Sequence, residues 1–480
     1  NKKILIYFIL LVGIFLRLIY LNQLDDYYDD WNFFFTVDPN ISNEITWVRY
    51  FGDRRILAEY NSYDWNKVGE DFPYYFAFFS KFVLNLIGYS IEKVHYFILF
   101  FSICSLFLVT KICEIFTPDL KFKVLTLFLF ATNLYLIKDL NALRPHSLSI
   151  FLTLISLYYF ILIFFKNKTS YKNITIFCAI TLIYLLIWPL NLAFFIGQFF
   201  LLFLKFFNKP IKENKIFIIS FSIIISLYLI LNFSYLEYQV INKTEHYTPL
   251  NIKFFFSYFF NMFFGSILFG GVMLIIFSYF LIDQVIKYIK IYKFKVLLSF
   301  NKKTEDIFLI IILSIYFLII SYSLIRAPVM AAKYVPFLLP IIIFWVSYKI
   351  YVYKKRPIYY IIVFLSILNL AFFWNNIQID RPPIKKVLKE IESSKTKKVF
   401  TTESDVFNHY LKYYNRSIKN NLEFHKFSNF KFGELPKKFW FLCLNNPRFR
   451  IGNNNLPDEK KCSAFKNYEG LYLIKTVRMP

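Results

Sequence analysis

The residues best equipped for chemistry are carboxylates crowded into one short stretch. Residues 25–31 read Asp-Asp-Tyr-Tyr-Asp-Asp-Trp and follow directly on the apolar segment Ile4–Leu21. Four carboxylates at the mouth of a membrane helix are costly there unless water or a partner receives them. The span Asp25–Asp71 holds eleven Asp and Glu, as many as all of Phe72–Arg381. Within it, Asp29 and Asp30 are the candidate catalytic pair, because a carboxylate can take the proton of an attacking hydroxyl. Three further polar groups recur along the chain: Glu70-Asp71 just before Pro73, the run from Asp139 through Arg144 to His146, and the run from Arg326 to Lys333 and Tyr334. Arg and Lys hold a phosphate and stabilise the charge that leaves with it. Carboxylate, guanidinium and ammonium at one membrane surface suit group transfer from a lipid phosphate.

Each of these residues also has a plainer reading. Asp25 and Asp26 read as solvated flank, and Asp29-Asp30 alone as loop acids. Arg144 and Lys333 could mark helix ends where long basic side chains reach the interface. His146 could simply start a helix. No HExxH, CxxC or P-loop pattern occurs, which leaves zincin, redox and nucleotide-hydrolase chemistry without support.

The elements that must position these groups are membrane helices. The chain has 480 residues, 57% hydrophobic and 22% aromatic. Its apolar residues fall in runs of about twenty, the length that crosses a bilayer core. Eleven spans are predicted, at roughly 4–22, 92–113, 122–138, 147–165, 173–188, 190–206, 216–236, 266–286, 307–325, 335–353 and 357–374. The first is too long, and lacks the small-residue cleavage site, for a removed signal peptide; it reads as an anchor. The fifth and sixth are joined only by Trp188-Pro189-Leu190, a tight turn where proline breaks the helix. The net charge of +25 is not a nucleic-acid footprint. Lys and Arg gather between alternate spans, as at Lys121 and Lys123, at Lys287 to Lys303, and at Lys354 to Arg356. The positive-inside rule then puts these in the cytoplasm, with Asp25–Asp71 and the tail after Trp374 outside. The expected location is the cytoplasmic (inner) membrane, with the site on the periplasmic or extracytoplasmic side.

Residues 73–89 are apolar but short, with Ser80, Lys81 and Asn85 near one face, so an amphipathic helix lying in the interface plane is expected. From about residue 378 the composition changes. Ile384, Val387, Leu388 and Ile391 have helical spacing, and Lys398–Thr402, Lys438–Leu444 and Leu471–Val477 read as strands. The chain thus divides into a membrane domain, 1–377, whose outer loop 23–91 carries the site, and a small extracytoplasmic α/β domain, 378–480. Of the five Cys, Cys443 and Cys462 lie in the tail and could pair if it is outside; spacing leaves this open.

These stretches together resemble the GT-C superfamily of membrane glycosyltransferases. The likeness is to the branch of protein mannosyltransferases, the lipid A aminoarabinose transferase and their uncharacterised bacterial relatives. The family's Asp-Glu pair after the first span is matched by Asp29-Asp30, and Asp38-Pro39-Asn40-Ile41-Ser42 is similar to a run that recurs downstream in bacterial members. Phe72-Pro73-Tyr74-Tyr75-Phe76 stands in for the Pro-Pro-Leu-Tyr-Tyr that opens the juxtamembrane helix, which ends in Gly88-Tyr89-Ser90. Leu143-Arg144-Pro145-His146-Ser147-Leu148 resembles the Ala-Arg-Pro-Tyr-Ser-Leu motif, and Lys333-Tyr334, with Pro340 beyond, the late Arg-Tyr. Three positions depart from the pattern. Asp30 replaces Glu, His95 stands where Arg is usual, and Ala142 replaces a Glu for which Asp139 is the nearest substitute.

The resemblance implies a helical membrane fold of GT-C type, with about eleven transmembrane helices and juxtamembrane helices in the first outer loop. It implies a glycosyltransferase using a polyprenyl-phosphate sugar rather than a nucleotide sugar. Asp29 would deprotonate an acceptor hydroxyl on a glycan, lipid or protein, and one displacement would invert the anomeric carbon. Polyprenyl phosphate would leave, stabilised by Lys333 with Arg144 or Arg326. Glu70, Asp71, Tyr75, His95, Asp139, Arg144, His146, Arg326, Lys333 and Tyr334 form the expected substrate-binding set. A divalent metal serves some relatives; no ligand set here demands one. Rival readings are a transporter or flippase for a lipid-linked glycan, and an inactive assembly subunit of the same fold. A membrane O-antigen ligase is disfavoured by the acidic first loop.

Overall fold

The structure, a computed structural model, describes residues 2–23, 33, 36–40, 74–117, 119–140, 143–206, 211–241, 256, 259–292, 305–325 and 334–379, together with four short strands further on. In chain order the helices are α1 (Lys2–Gln23), α2 (Tyr74–Ile87), α3 (Ile91–Phe116), α4 (Leu120–Thr132), α5 (Leu134–Asp139), α6 (His146–Phe164) and α7 (Tyr171–Ile187). A single 3-10 turn (Pro189–Asn191) leads into α8 (Leu192–Phe206). There follow α9 (Ile211–Ile241), α10 (Phe259–Phe264), α11 (Ile267–Tyr292), α12 (Glu305–Ile325), α13 (Leu338–Val352) and α14 (Arg356–Ile379). Helix occupies all eleven predicted spans. Among the described residues, seven stretches are long and apolar enough to cross a membrane: Lys3–Leu21, Glu92–Phe116, His146–Phe164, Pro189–Phe206, Lys215–Phe233, Ile267–Lys287 and Ile307–Leu324. This is an α-helical membrane protein.

Helix starts follow local chemistry. The Ser90 hydroxyl accepts from Lys93 N at 3.3 Å, the Asp119 carboxylate from Lys121 N at 2.7 Å, and the Ser170 hydroxyl from Asn173 N at 3.3 Å. Each satisfies an amide that has no partner within its own helix.

In lipid, apolar side chains gain little by leaving their surroundings for one another, so helices associate through close packing and interhelical hydrogen bonds. Both devices are present. A Cβ at Gly13 would sit 2.9 Å from Ala131 Cβ, and one at Gly197 would sit 3.4 Å from the Ile311 carbonyl oxygen. These small residues let α1 approach α4, and α8 approach α12. Ser156 Oγ and Thr181 Oγ1 lie 2.9 Å apart across α6 and α7, and Thr132 Oγ1 and Ser366 Oγ 2.9 Å apart across α4 and α14. Phe308 and Phe344 stack at 5.2 Å between α12 and α13.

The predicted span 122–138 is two helices, broken at Asn133. Asn133 has extended backbone (φ −68°, ψ 122°), its Oδ1 accepts from Leu136 N at 2.9 Å to start α5, and its Nδ2 donates to Phe263 O at 3.0 Å. The break withdraws the amides that would have served the last carbonyls of α4. The buried Arg17 of α1 replaces them, donating to Phe130 O at 3.3 Å and Ala131 O at 3.2 Å. Its Nε donates to Ser102 Oγ at 3.0 Å, and its Nη1 also donates to Gly13 O at 3.0 Å. A second interruption separates α10 from α11 at Gly265, whose φ of +79° suits glycine. The end of α10 is held by Asn133, as above, and by Asn369 of α14, whose Nδ2 donates to Phe264 O at 2.8 Å. Backbone exposed by a break at membrane depth must find partners inside the protein.

Beyond residue 379, β1 (Lys398–Thr401), β2 (Glu423–Lys426), β3 (Phe439–Leu442) and β4 (Leu471–Ile474) form a parallel sheet in the order β2-β1-β3-β4. Val399 pairs with Phe424 on one side and Trp440 on the other, and Trp440 with Tyr472. Three of these strands coincide with predicted ones. The fourth, Glu-Phe-His-Lys, has one apolar residue and carries no alternation to announce it. The predicted helix around Ile384–Ile391 lies outside the described residues, as do Cys443 and Cys462.

Candidate functional site

Interhelical contacts bring several chain segments to one end of the bundle. Gly13 against Leu106 and Arg17 against Ser102 make α1 antiparallel to α3. Phe160 against Phe177, with His146 against Trp188, makes α6 antiparallel to α7. That end therefore gathers the C-terminus of α1, helix α2, the N-termini of α3 and α6, the Trp188-Pro189 turn and the approach to α13.

Helix α2 is amphipathic and turns Ser80 and Lys81 toward the protein. Phe76, Ala77, Ser80, Lys81 and Leu84 form its buried face, while Phe78, Phe82, Leu86 and Ile87 are exposed. Asn85 is exposed as well. Its 14 residues reach only about 21 Å, short of a bilayer core. Lipid suits its exposed phenylalanine face, as in a helix lying in the interface plane. Phe76 packs on Phe33 at 5.5 Å, and Phe79 on Phe97 at 6.1 Å. The short segment containing Thr36, Val37 and Asp38 is buried too. Asp38 Oδ1 accepts from Asn40 N at 2.9 Å and from Asn40 Nδ2 at 2.7 Å. Burial pushes the Lys81 ammonium down to about 8, and the Asp38 carboxylate pulls partly the other way. The buried Ser80 hydroxyl has no hydrogen-bond partner among the described residues.

Of the expected substrate-binding set, Tyr75, His95, Arg144, His146 and Tyr334 are described, and Asp139 as the last residue of α5 by its backbone alone. Tyr75 donates its hydroxyl to Leu231 O at 2.7 Å, tying α2 to α9. His95 is buried in the first turns of α3, and His146 is buried as the first residue of α6. Arg144 is half-buried in the turn before α6. Trp188 joins two of these segments. Its ring meets His146 edge-on at 5.3 Å, and its Nε1 donates to Tyr334 O at 3.0 Å. Residues 143–146 and 334 thus share one neighbourhood although far apart in the chain. Asp29, Asp30, Glu70, Asp71, Arg326 and Lys333 lie outside the described residues.

Sequence reasoning passed over Arg17, Asn133, Asn369 and Trp188. Asn133 had a legible signal, since Asn before a fresh apolar run is a helix-start residue. Arg17 and Asn369 had none, because their partners are remote in sequence. The opposite end of the bundle carries ion pairs of another kind. Glu114 meets Lys111 at 3.2 Å and also Lys123, and Asp283 meets Lys287 at 2.9 Å. Lys111, Glu114 and Lys287 are exposed and Lys123 and Asp283 half-buried, and ion pairs this near the surface contribute little individually.

No family model matches this chain, and no curated protein matches it. Among the described residues, no group of three or more His, Cys, Asp or Glu could hold a metal ion.

Proposed function

We propose that this protein is a GT-C-type glycosyltransferase with about eleven membrane spans and an extracytoplasmic α/β domain built on the parallel sheet. It moves a sugar from a polyprenyl-phosphate carrier to an acceptor hydroxyl on the outer face of the cytoplasmic membrane. The observation that supports this most is that a carboxylate, an ammonium, a hydroxyl and two imidazoles are buried together at one end of the bundle. Asp38, Ser80, Lys81, His95 and His146 are all buried there. Burying such groups is costly unless they are paired or used. In sequence the acidic run 25–31 comes directly after α1, whose C-terminus is at this end.

In this reading Asp29 takes the proton of the acceptor hydroxyl as its oxygen attacks the anomeric carbon. The bond from that carbon to the phosphate oxygen breaks, and the polyprenyl phosphate leaves. Lys333, with Arg144 or Arg326, stabilises its charge. Phosphate is already a competent leaving group, so a single base suffices. Asp30 orients the acceptor or the loop.

The flippase reading draws on Arg17 and on the two helix interruptions, features transporters use for their substrate sites. Arg17 nevertheless spends four bonds on backbone carbonyls and Ser102, out of about five donors that a guanidinium has. It reads as a cap on α4 rather than as a charge on a transport path.

The test is transfer from a synthetic polyprenyl-phosphate sugar by purified protein. Asp29→Asn keeps shape and removes basicity, and should slow transfer on the order of a hundred- to ten-thousand-fold. Asp25→Asn should do little, and Asp30→Asn should fall between. A well-folded Asp29→Asn that transfers at the wild-type rate removes Asp29 from its role. If both substitutions are silent, singly and together, the flippase reading moves ahead.

A further inference from the structure

The end of the bundle opposite α2 holds a cluster of charges built on a tight corner. Helix α13 ends at Val352 and α14 begins at Arg356. Lys354 closes the corner with a left-handed φ of +51°. Lys354 N donates to Tyr351 O at 3.1 Å, Lys355 N to Ile350 O at 3.2 Å, and Arg356 N to Lys354 O at 2.9 Å. Glycine or asparagine ordinarily fills such a position, so this corner carries a cation at a conformational cost. Lys354 and Arg356 are exposed and Lys355 is half-buried. Helix α11 packs against both α13 and α14 and brings Lys287 to the corner. The Lys287 ammonium donates to Asp283 Oδ2 at 2.9 Å and to the Tyr353 hydroxyl, which itself donates to Asp283. One turn back along α13, the buried Lys349 donates to Gln284 Oε1 and sits 5.8 Å from the centre of the Tyr353 ring. Among the described residues of this cluster, the cations of Lys287, Lys349, Lys354, Lys355 and Arg356 meet a single carboxylate, that of Asp283.

We propose that this corner binds the headgroup of an anionic phospholipid from the surrounding bilayer. Charge complementarity selects the sign of the ligand. An ammonium has three donors, and Asp283 and Tyr353 take two of those on Lys287. The third is left for a phosphate oxygen, and the Arg356 guanidinium offers the planar fork that suits phosphate. Asp283 holds Lys287 in place without neutralising the corner. The buried Lys349 adds to the positive field without touching the ligand. The flanking side chains select a lipid over a soluble anion. Ile286 stands beside Lys287 on α11, Ile282 lies a turn deeper, and Tyr360 lies one turn beyond Arg356 on α14; all three are exposed. Apolar surface thus begins within a turn of the cations, as a charged headgroup with acyl chains requires. Basic pockets between membrane helices recognise anionic headgroups by this combination.

The test is native mass spectrometry of the full chain in detergent, with phosphatidylglycerol and phosphatidylcholine of the same acyl chains supplied in equal amounts. The wild type should retain phosphatidylglycerol in preference. Lys287→Gln and Arg356→Gln should each lower that preference about fivefold, the effect of one cation near an anionic headgroup. Lys287→Arg keeps the charge and should keep the preference. Lys168→Gln is the control, because Lys168 is exposed in the α6–α7 connection at the same end and lies outside the corner. Size exclusion first shows that each variant is folded. If Lys287→Gln is not, Arg356→Gln decides, since Arg356 is exposed at the start of its helix. Equal retention of the two lipids by the wild type overturns the proposal. So does a preference that survives Arg356→Gln undiminished. An equal loss in Lys168→Gln assigns the preference to general surface charge and overturns the corner. Displacement of phosphatidylglycerol by an equal concentration of glycerol phosphate makes this a soluble-phosphate site and overturns the lipid.

Discussion

Replacing Arg17 should loosen the packing of α1 on α3 and α4, and the size of the effect can be worked from its contacts. In Arg17→Met two carbonyls at the end of α4, Phe130 O and Ala131 O, lose their charged donors, and Ser102 loses its partner. The Gly13 carbonyl is less affected, since an intact α1 already offers it an amide. A hydrogen bond to a charged group contributes about 1.5–3 kcal/mol on the aqueous scale. Measured polar pairs in membranes are weaker, about 0.6 kcal/mol on average and about 1.7 at most. Against these losses stands the relief of no longer burying a cation, which is worth several kcal/mol when nothing else is orphaned. Here something is orphaned, because the extended backbone at Asn133 leaves the α4 carbonyls without amides. We therefore expect Arg17→Met to destabilise by roughly 1–3 kcal/mol. Arg17→Lys should recover part of this, since one ammonium cannot span Ser102 and both carbonyls. Thermal unfolding in detergent can be followed with a thiol-reactive dye, because Cys113 is buried and Cys104 and Cys178 are half-buried as free thiols. If Arg17→Met melts at or above the wild-type temperature, the cation's burial outweighs its bonds and the break at Asn133 stands without it.

Three further outcomes are expected. Alkaline phosphatase fused after Lys389 should be active and after Lys295 inactive; the reverse overturns the orientation and the outer site with it. Lys333→Ala should weaken donor use roughly tenfold or more, in keeping with a charge-assisted contact to phosphate. Lys295→Ala should do nothing, and equal, negligible effects would make Lys333 only an anchor at a helix end. Lys81 should leave a signature in the pH dependence of stability. Its folded pKa of about 8 lies below the ordinary 10.5, so between those values the unfolded chain holds more protons and stability rises with pH. The rise is on the order of 1–3 kcal/mol, and unfolding measured from pH 8 to 10.5 should lose it in Lys81→Met.

Sequence alone settled a good deal of this architecture. A run of about twenty apolar residues has few alternatives, because lipid offers no partners to a backbone and only a helix satisfies its own amides. That is why helices fall on all the predicted spans and why α2 was legible as a short helix between α1 and α3. Local information also reached three of the four strands. It did not reach the face that α2 buries. The polar stripe of Ser80 and Lys81 is visible in sequence, but whether it turns to water or to protein depends on what lies opposite, and Phe33, Val37 and Asp38 come from a different segment.

The same limit applies more strongly to Arg17, Asn369 and Trp188. Nothing adjacent to Arg17 distinguishes it from a cation tolerated within an apolar run. Its partners Ser102, Phe130 and Ala131 stand 85 to 114 residues away. Trp188 reads as part of a tight turn until its indole is seen on Tyr334, 146 residues further on. A helix in lipid is decided by its own backbone, so composition and length suffice to find it. Which helix ends meet is decided by hydrogen bonds and close packing between remote segments. A single polar residue then does in the tertiary structure what no local pattern announces.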